Sequence, residues 1–230
     1  MCGHAAPLDD DGVVRGSLYH RLIAWTLAHG NAASHRLYGA RKTALLGGLS
    51  GNVVEIGAGA GVNLSYLDPS VQYVAVEPNV HFHDRVREAA RLAGVDAEVR
   101  IGVAERLPLP DACADAVVCT LVLCSVDDVR ASLAEVRRVL RPGGTFVFLE
   151  HVAASRGTWL RRLQRLIRAP WALVADGCRP DRETGHYLEE AGFDHLEIER
   201  FRPPLGLLSP HIIGSARLAN VRAAAPAGTV

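Results

Sequence analysis

The chain has 230 residues, enough for one well-buried core, and its 49 % hydrophobic and 22 % charged residues suit a folded globular domain. Its 25 basic and 25 acidic residues cancel, so no electrostatic footprint points to nucleic acid or an anionic membrane surface. No run reaches the ~18 apolar residues that would span a bilayer, and the acidic start at Asp9, Asp10 and Asp11 is unlike a signal peptide, so a cytoplasmic chain without stable membrane insertion is expected.

In chain order, a polar leader gives way to two helical stretches, Val14 to Ala28 and His35 to Leu49, broken at Gly30-Asn31. The centre alternates short β-rich runs with helical ones. Strands are predicted at Asn52–Ile56, Val71–Val76, Ala97–Ile101, Ala116–Thr120 and Thr145–Leu149, with helical stretches near Val62–Leu67, His81–Ala93 and Val129–Leu140 between them. That alternation predicts an α/β fold, a parallel sheet covered on both faces. Farther on, Thr158 to Val174 reads as a helix interrupted by Pro170, and Arg182 to Ala191 as another. Phe193–Phe201 and His211–Ala216 read as closing strands, and the Ala-Pro-Gly-rich residues from about Ala223 as a disordered tail.

The most informative segment runs from Val53 to Asn63. There an apolar strand containing Glu55 enters Gly57-Ala58-Gly59-Ala60-Gly61. Glycines on alternate positions permit a tight turn and the close approach of a ligand to the backbone. Glu77 follows twenty residues after Gly57, with Pro78 and Asn79 at the same strand tip, where a carboxylate can accept ribose hydroxyls. A dinucleotide fingerprint needs glycine at its sixth position, which is Val62 here; the third glycine stands at the fifth, the spacing common to adenosylmethionine sites. The loop alone leaves three readings open: adenosylmethionine, a dinucleotide, or a structural turn.

Further runs narrow them. Ala104-Glu105-Arg106-Leu107-Pro108 follows the third strand, Asp115 to Leu121 forms the fourth, and Val139-Leu140-Arg141-Pro142-Gly143-Gly144 leads into the fifth. In that order they resemble the class I S-adenosylmethionine-dependent methyltransferases. Less common runs resemble the methyltransferase-like 7 proteins, which methylate alkyl thiols. These are Val118 to Val126 (with Cys119, Thr120, Leu121 and Cys124), Leu149-Glu150-His151-Val152-Ala153 with Trp159, Trp171, Asp176-Gly177-Cys178, and Pro210 to Gly214.

The resemblance implies a doubly wound, mostly parallel, Rossmann-like seven-stranded sheet with an N-terminal helical cap. It implies a leader and cap helices over 1–50, a methyltransferase domain over 51–216 with a helical cap insertion at about 155–178, and a flexible tail over 217–230. It also implies S-adenosylmethionine as cofactor, adenosylhomocysteine as product and a small thiol as acceptor. Members of that family carry an N-terminal apolar membrane anchor; this sequence opens on a polar, acidic leader, so membrane association is not expected to carry over. Many class I relatives carry an Asp before the Ala-Glu pair; here Val103 stands in its place, leaving adenine to backbone groups and Glu105. An O-, N- or C-methyltransferase of secondary metabolism, and a non-catalytic adenosylmethionine-binding partner protein, are the alternatives.

Open α/β sheets bind ligands outside the carboxyl ends of their strands, so Thr120, Leu121 and Cys124 are expected to wall the methyl-transfer site, Thr120 and Leu121 beside the cofactor and Cys124 as pocket lining or simple burial. Glu150 and His151 end the fifth strand on the same rim, and His151 is a candidate to deprotonate or orient the acceptor. Asp176 and His211 are further catalytic candidates because the resemblance marks both places. A thiol also needs less help than a hydroxyl, since a pKa near ~8.5 leaves some thiolate at neutral pH.

No metal is expected. The five cysteines are odd in number and lack Cys-x-x-Cys spacing, and His81 and His83 point to different faces of a helix expected to be solvated. The arginines at 161, 162, 165 and 168 share a helix with Leu160, Leu163, Leu166 and Ile167, expected to cap the substrate, with a helix lying on a membrane surface as the alternative. Lys42 is the sole lysine; such a preference for arginine, with abundant alanine, suggests a GC-rich bacterial genome.

Overall fold

The computed structural model describes Cys2, Arg21 and residues 31–220. The first expected helix falls outside these residues except for Arg21, and so does the tail from Ala223.

Seven strands form one sheet: β1 (Asn52–Ile56), β2 (Gln72–Val76), β3 (Asp96–Arg100), β4 (Ala114–Thr120), β5 (Leu140–His151), β6 (His195–Phe201) and β7 (His211–Arg217). Their order is β3-β2-β1-β4-β5-β7-β6, parallel except for β7, which runs antiparallel to both neighbours. The chain winds outward from β1 on one side and from β4 on the other. The crevice between them is therefore the topological switch point where such sheets bind ligands.

The helices are α1 (Asn31–Leu46), α2 (His83–Ala93), α3 (Val129–Val139), α4 (Trp159–Val174) and α5 (Thr184–Glu190), with short 3-10 turns at Val62–Tyr66 and Val80–Phe82. Every residue of β1 is buried, as expected for a strand covered on both faces. Val54 and Ile56 face a cluster with Leu133, Val136 and Leu188, whereas Val53 faces one with Leu46, Leu64 and Val86. In α1 the buried positions Tyr38, Lys42 and Leu46 recur every fourth residue, one stripe of a helix. Asp128 caps α3 by accepting the Arg130 and Ala131 amides, and Gly94 ends α2 in a left-handed conformation.

Four expectations are corrected. β5 begins at Leu140, because the Arg141–Gly144 stretch bulges between the Ala114–Leu140 and Ala116–Thr145 pairs. β7 includes Arg217, and the Leu218 amide donates to Gly144 O, so sheet order passes the 216 boundary. Pro170 does not interrupt α4: it is exposed, on a side of the helix where water can serve the Leu166 carbonyl it leaves unpaired. His83 is buried, its Nε2–H donating to the Glu77 carbonyl at 2.9 Å.

Outward, α4 exposes Trp159, Leu166 and Leu173, a stripe with a period of seven residues. Among the described residues no helix is long and apolar enough to cross a membrane.

Candidate active site

The glycine loop turns tightly after β1. Gly57 N–H donates to Val76 O at 2.8 Å and Gly61 N–H to Ala58 O at 2.9 Å. The glycines differ in what a side chain would meet. A Cβ on Gly57 would sit 2.5 Å from Val122, and one on Gly61 would press on Ala89 and Val86. Gly59 (φ +52°) faces open space, with no heavy atom within 4 Å of such a Cβ. Gly57 and Gly61 are thus required by the protein's own packing, whereas Gly59 leaves room for a ligand.

Glu77 lies beneath that space. Its Oε2 accepts the Gly59 amide and its Oε1 the Asn79 amide, both at 2.9 Å. Burial pushes its carboxyl up to about 7 against these two donors, with a smaller push from the charge of Asp176. Each oxygen keeps a lone pair for a further donor. Asn79 Oδ1 caps the 3-10 turn by accepting the His81 amide, and Pro78 holds the chain between the two.

Glu55 reaches the site through its neighbours. It is buried, its Oε1 accepts Asn63 Nδ2 at 2.7 Å, and its Oε2 accepts the Tyr73 hydroxyl. Burial raises it to about 7, offset partly by these bonds and by Lys42. Lys42 is itself buried, and desolvation lowers its pKa while Glu55 holds it up. Composition alone gave no sign that the sole lysine would be buried within reach of Glu55's charge. Asn63 Nδ2 also donates to Thr120 Oγ1 at 2.8 Å, joining the loop after β1 to the end of β4. Its Oδ1 is buried with no partner, a free acceptor in the crevice.

Ala104 is buried in the core, and the Glu105 carboxylate is engaged by the Asp127 and Asp128 amides at 2.8 and 3.2 Å. Glu105 thus ties the 103–106 turn to the start of α3.

Leu121, at the end of β4, is held in a left-handed conformation (φ 61°), its amide donating to Leu149 O at 2.8 Å. The turn that follows is fastened by Glu150, whose Oε1 accepts the Val122 and Leu123 amides at 3.0 and 3.1 Å. Its Oε2 is buried without a partner, and burial pushes the carboxyl to about 7. The motif placed Glu150 on the rim, but only the folded chain brings the turn over it.

His151 and His211 face each other across β5 and β7, with ring centroids 6.2 Å apart. His211 is fully engaged: Nδ1–H donates to Ser209 O at 3.2 Å, and Nε2 accepts the Tyr38 hydroxyl at 2.9 Å. Burial lowers its pKa to about 4, which keeps it neutral, so it braces the rim and is not a free base. Asp176 also adopts a left-handed conformation (φ 50°), leading into Gly177 and Cys178. Its charge adds a small upward push to the Glu77 carboxyl.

His151 Nε2 lies 3.1 Å from Cys178 Sγ, which also accepts the Trp171 indole N–H at 3.2 Å. Cys124 joins the same group. The nearness of the two sulfurs pushes the Cys124 thiol up and that of Cys178 down. All five cysteines are buried and free of disulfides.

Comparison with known proteins agrees with this geometry. A family model described as a methyltransferase domain matches residues 54–148. Human thiol S-methyltransferase TMT1B is 41 % identical over 178 residues, spanning 74 % of this chain and 73 % of that protein. Human thiol S-methyltransferase TMT1A is 38 % identical over 170 residues, spanning 72 % and 70 %. A SAM-dependent methyltransferase from Aquifex aeolicus shares the fold with a TM-score of 0.60 at 17 % identity, covering 86 % of this chain and 98 % of that one. The chain is an S-adenosylmethionine-dependent methyltransferase of the class I fold, and it belongs to the family of TMT1A and TMT1B.

Proposed function

We propose that the protein methylates a small-molecule thiol to a thioether, using the crevice between β1 and β4 for the cofactor and the His151–Cys178 side of the rim for the acceptor. One observation carries the acceptor assignment. Among the described residues of that rim, His151 Nε2 is set against Cys178 Sγ and His211 Nε2 against the Tyr38 hydroxyl, and neither imidazole is hydrogen-bonded to a carboxylate that would orient it as a base for a hydroxyl. An alcohol or phenol acceptor generally needs a positioned base, whereas a thiol supplies its own thiolate. The names of both human relatives, thiol S-methyltransferases, point the same way.

S-adenosylmethionine supplies an electrophilic methyl on a sulfonium. The space over Gly59 admits its backbone-hugging part, and Glu77 offers both oxygens to ribose hydroxyls. Asn63 Oδ1 offers its unused acceptor to the ammonium group. Pro78, Asn79 and His83 position Glu77, while Glu55 positions Asn63. Thr120 and Leu121 border the methyl, and Ala58 and Ala104 close the walls. Methyl transfer is an in-line displacement, so aligning acceptor and donor supplies much of the rate. Free thiols in every described cysteine suit a reducing, cytoplasmic setting.

Incubation with cofactor and matched panels of alkyl thiols, phenols and amines, read by mass spectrometry, tests the assignment. Thioether products are expected. Exclusive methylation of phenols or amines would overturn the thiol reading, and cofactor binding with no product from any panel would favour the non-catalytic alternative.

A further inference from the structure

Cys124, His151 and Cys178 come from three separate stretches: the turn after β4, the end of β5 and the segment after α4. Their ligating atoms all lie within 4.8 Å of one another, and all three side chains are buried. No sequence spacing announces the group, because each member follows a different element. A thiol is a weak hydrogen-bond donor and acceptor, so two thiols and an imidazole gain little from one another in a buried place. What they share is affinity for a borderline-soft divalent cation.

We propose that Cys124, His151 and Cys178 form a zinc site whose fourth position takes the sulfur of the methyl acceptor. The inference rests on the thiol reading given above and deepens it. Two sulfurs and one nitrogen select zinc over magnesium or calcium. Three protein ligands with a vacancy are the composition of a catalytic zinc site, whereas a structural one is closed by four. With Zn–S near ~2.3 Å and Zn–N near ~2.0 Å, ligands on one tetrahedral ion stand roughly 3.5–3.8 Å apart. The cluster is already close to that arrangement. His211 is no fourth ligand, since Tyr38 and Ser209 occupy both of its nitrogens. The Trp171 indole N–H, directed at Cys178 Sγ, is the outer partner that steadies a coordinated thiolate.

The chemistry balances. An acceptor R–SH entering the fourth position releases its proton to solvent and binds as a thiolate. A lone pair on that sulfur forms the new S–CH3 bond, while the sulfonium C–S bond breaks and leaves its electron pair on the departing sulfur. The product is a neutral thioether, a weaker ligand than the thiolate, so it leaves the metal. One proton is released per turnover.

The test uses the full chain purified under reducing conditions. Elemental analysis is expected to find close to one zinc per chain. After chelation, cobalt(II) should restore a thiolate-to-metal charge-transfer band with tetrahedral visible bands, and a small alkyl thiol should intensify the charge transfer. Cys124→Ser and Cys178→Ser should each weaken cobalt binding by more than the roughly 10–100-fold typical of losing an outer-shell partner. Trp171→Phe keeps all three ligands and should keep the bands, which guards against a variant that merely misfolds.

A metal-free wild-type protein with no cobalt bands that still methylates thiols overturns the zinc site and leaves the thiol reading standing. Cobalt bands that ignore thiols, in a protein that methylates them, overturn the acceptor role. Thiol-responsive bands in a protein that methylates only phenols sink the thiol reading and uphold the metal site.

Discussion

The Gly59 amide donates to Oε2 of Glu77 at 2.9 Å, so the glycine that faces open space and the acidic residue at the tip of β2 hold each other in place. The loop and the carboxylate therefore act as one device. A change at either should register in cofactor binding before it registers in the sheet.

Gly59→Val and Gly57→Val should behave differently. At Gly59 the added side chain enters open space, so affinity for adenosylmethionine should be lost while the protein folds with a cost of roughly 1–2 kcal/mol for the left-handed backbone. At Gly57 the new Cβ meets Val122 at 2.5 Å, so stability should fall further as the turn after β4 is displaced. Calorimetry and thermal melts together decide this; a folded Gly59→Val protein with unchanged affinity would refute the loop's assignment.

Cofactor affinity should rise with pH and level off near 7. Burial raises folded Glu77 from its ordinary 4.5 to about 7, and ribose hydroxyls favour the ionised form. The same shift stabilises the apo fold fully below pH 4.5, and that contribution is lost as pH climbs to about 7. Glu55, also raised to about 7 by burial, adds to the stability slope and touches binding only through Asn63. Glu77→Gln should flatten the affinity profile and weaken binding by roughly 1.5–3 kcal/mol, the scale of a charged hydrogen bond. Titration calorimetry from pH 5.5 to 8.5 checks both, and an unchanged profile in Glu77→Gln would remove Glu77 from the ribose.

Glu150→Ala strips the Val122 and Leu123 amides of their acceptor and should cost about 2–4 kcal/mol by urea denaturation. Glu150→Gln keeps an oxygen for both amides and should cost much less. Equal losses in the two variants would show that the side chain's volume matters and its hydrogen bonds do not.

How much of this was legible in the sequence follows from the range of the interactions. The strand tip, the alternate glycines and the acid twenty residues on are read within one βαβ unit, and β1 runs over the expected Asn52–Ile56. Strand positions elsewhere moved by only a few residues, because apolar patterning and helix signals are local. The thiol acceptor was readable only through resemblance to a family.

What the tertiary structure decided lies between residues far apart in the chain. His211 Nε2 is occupied by the Tyr38 hydroxyl, 173 residues away, and Glu55 is buried within electrostatic reach of a lysine that composition had marked only as rare. His83 was expected on a solvated helix, but the 3-10 turn before α2 rotates it inward to hold Glu77. Cys124, His151 and Cys178 share no spacing rule, since three elements had to dock before their atoms could meet. Local periodicity fixes which face of each element is buried, whereas the meeting of side chains on a common rim depends on how strand order and register bring those faces together.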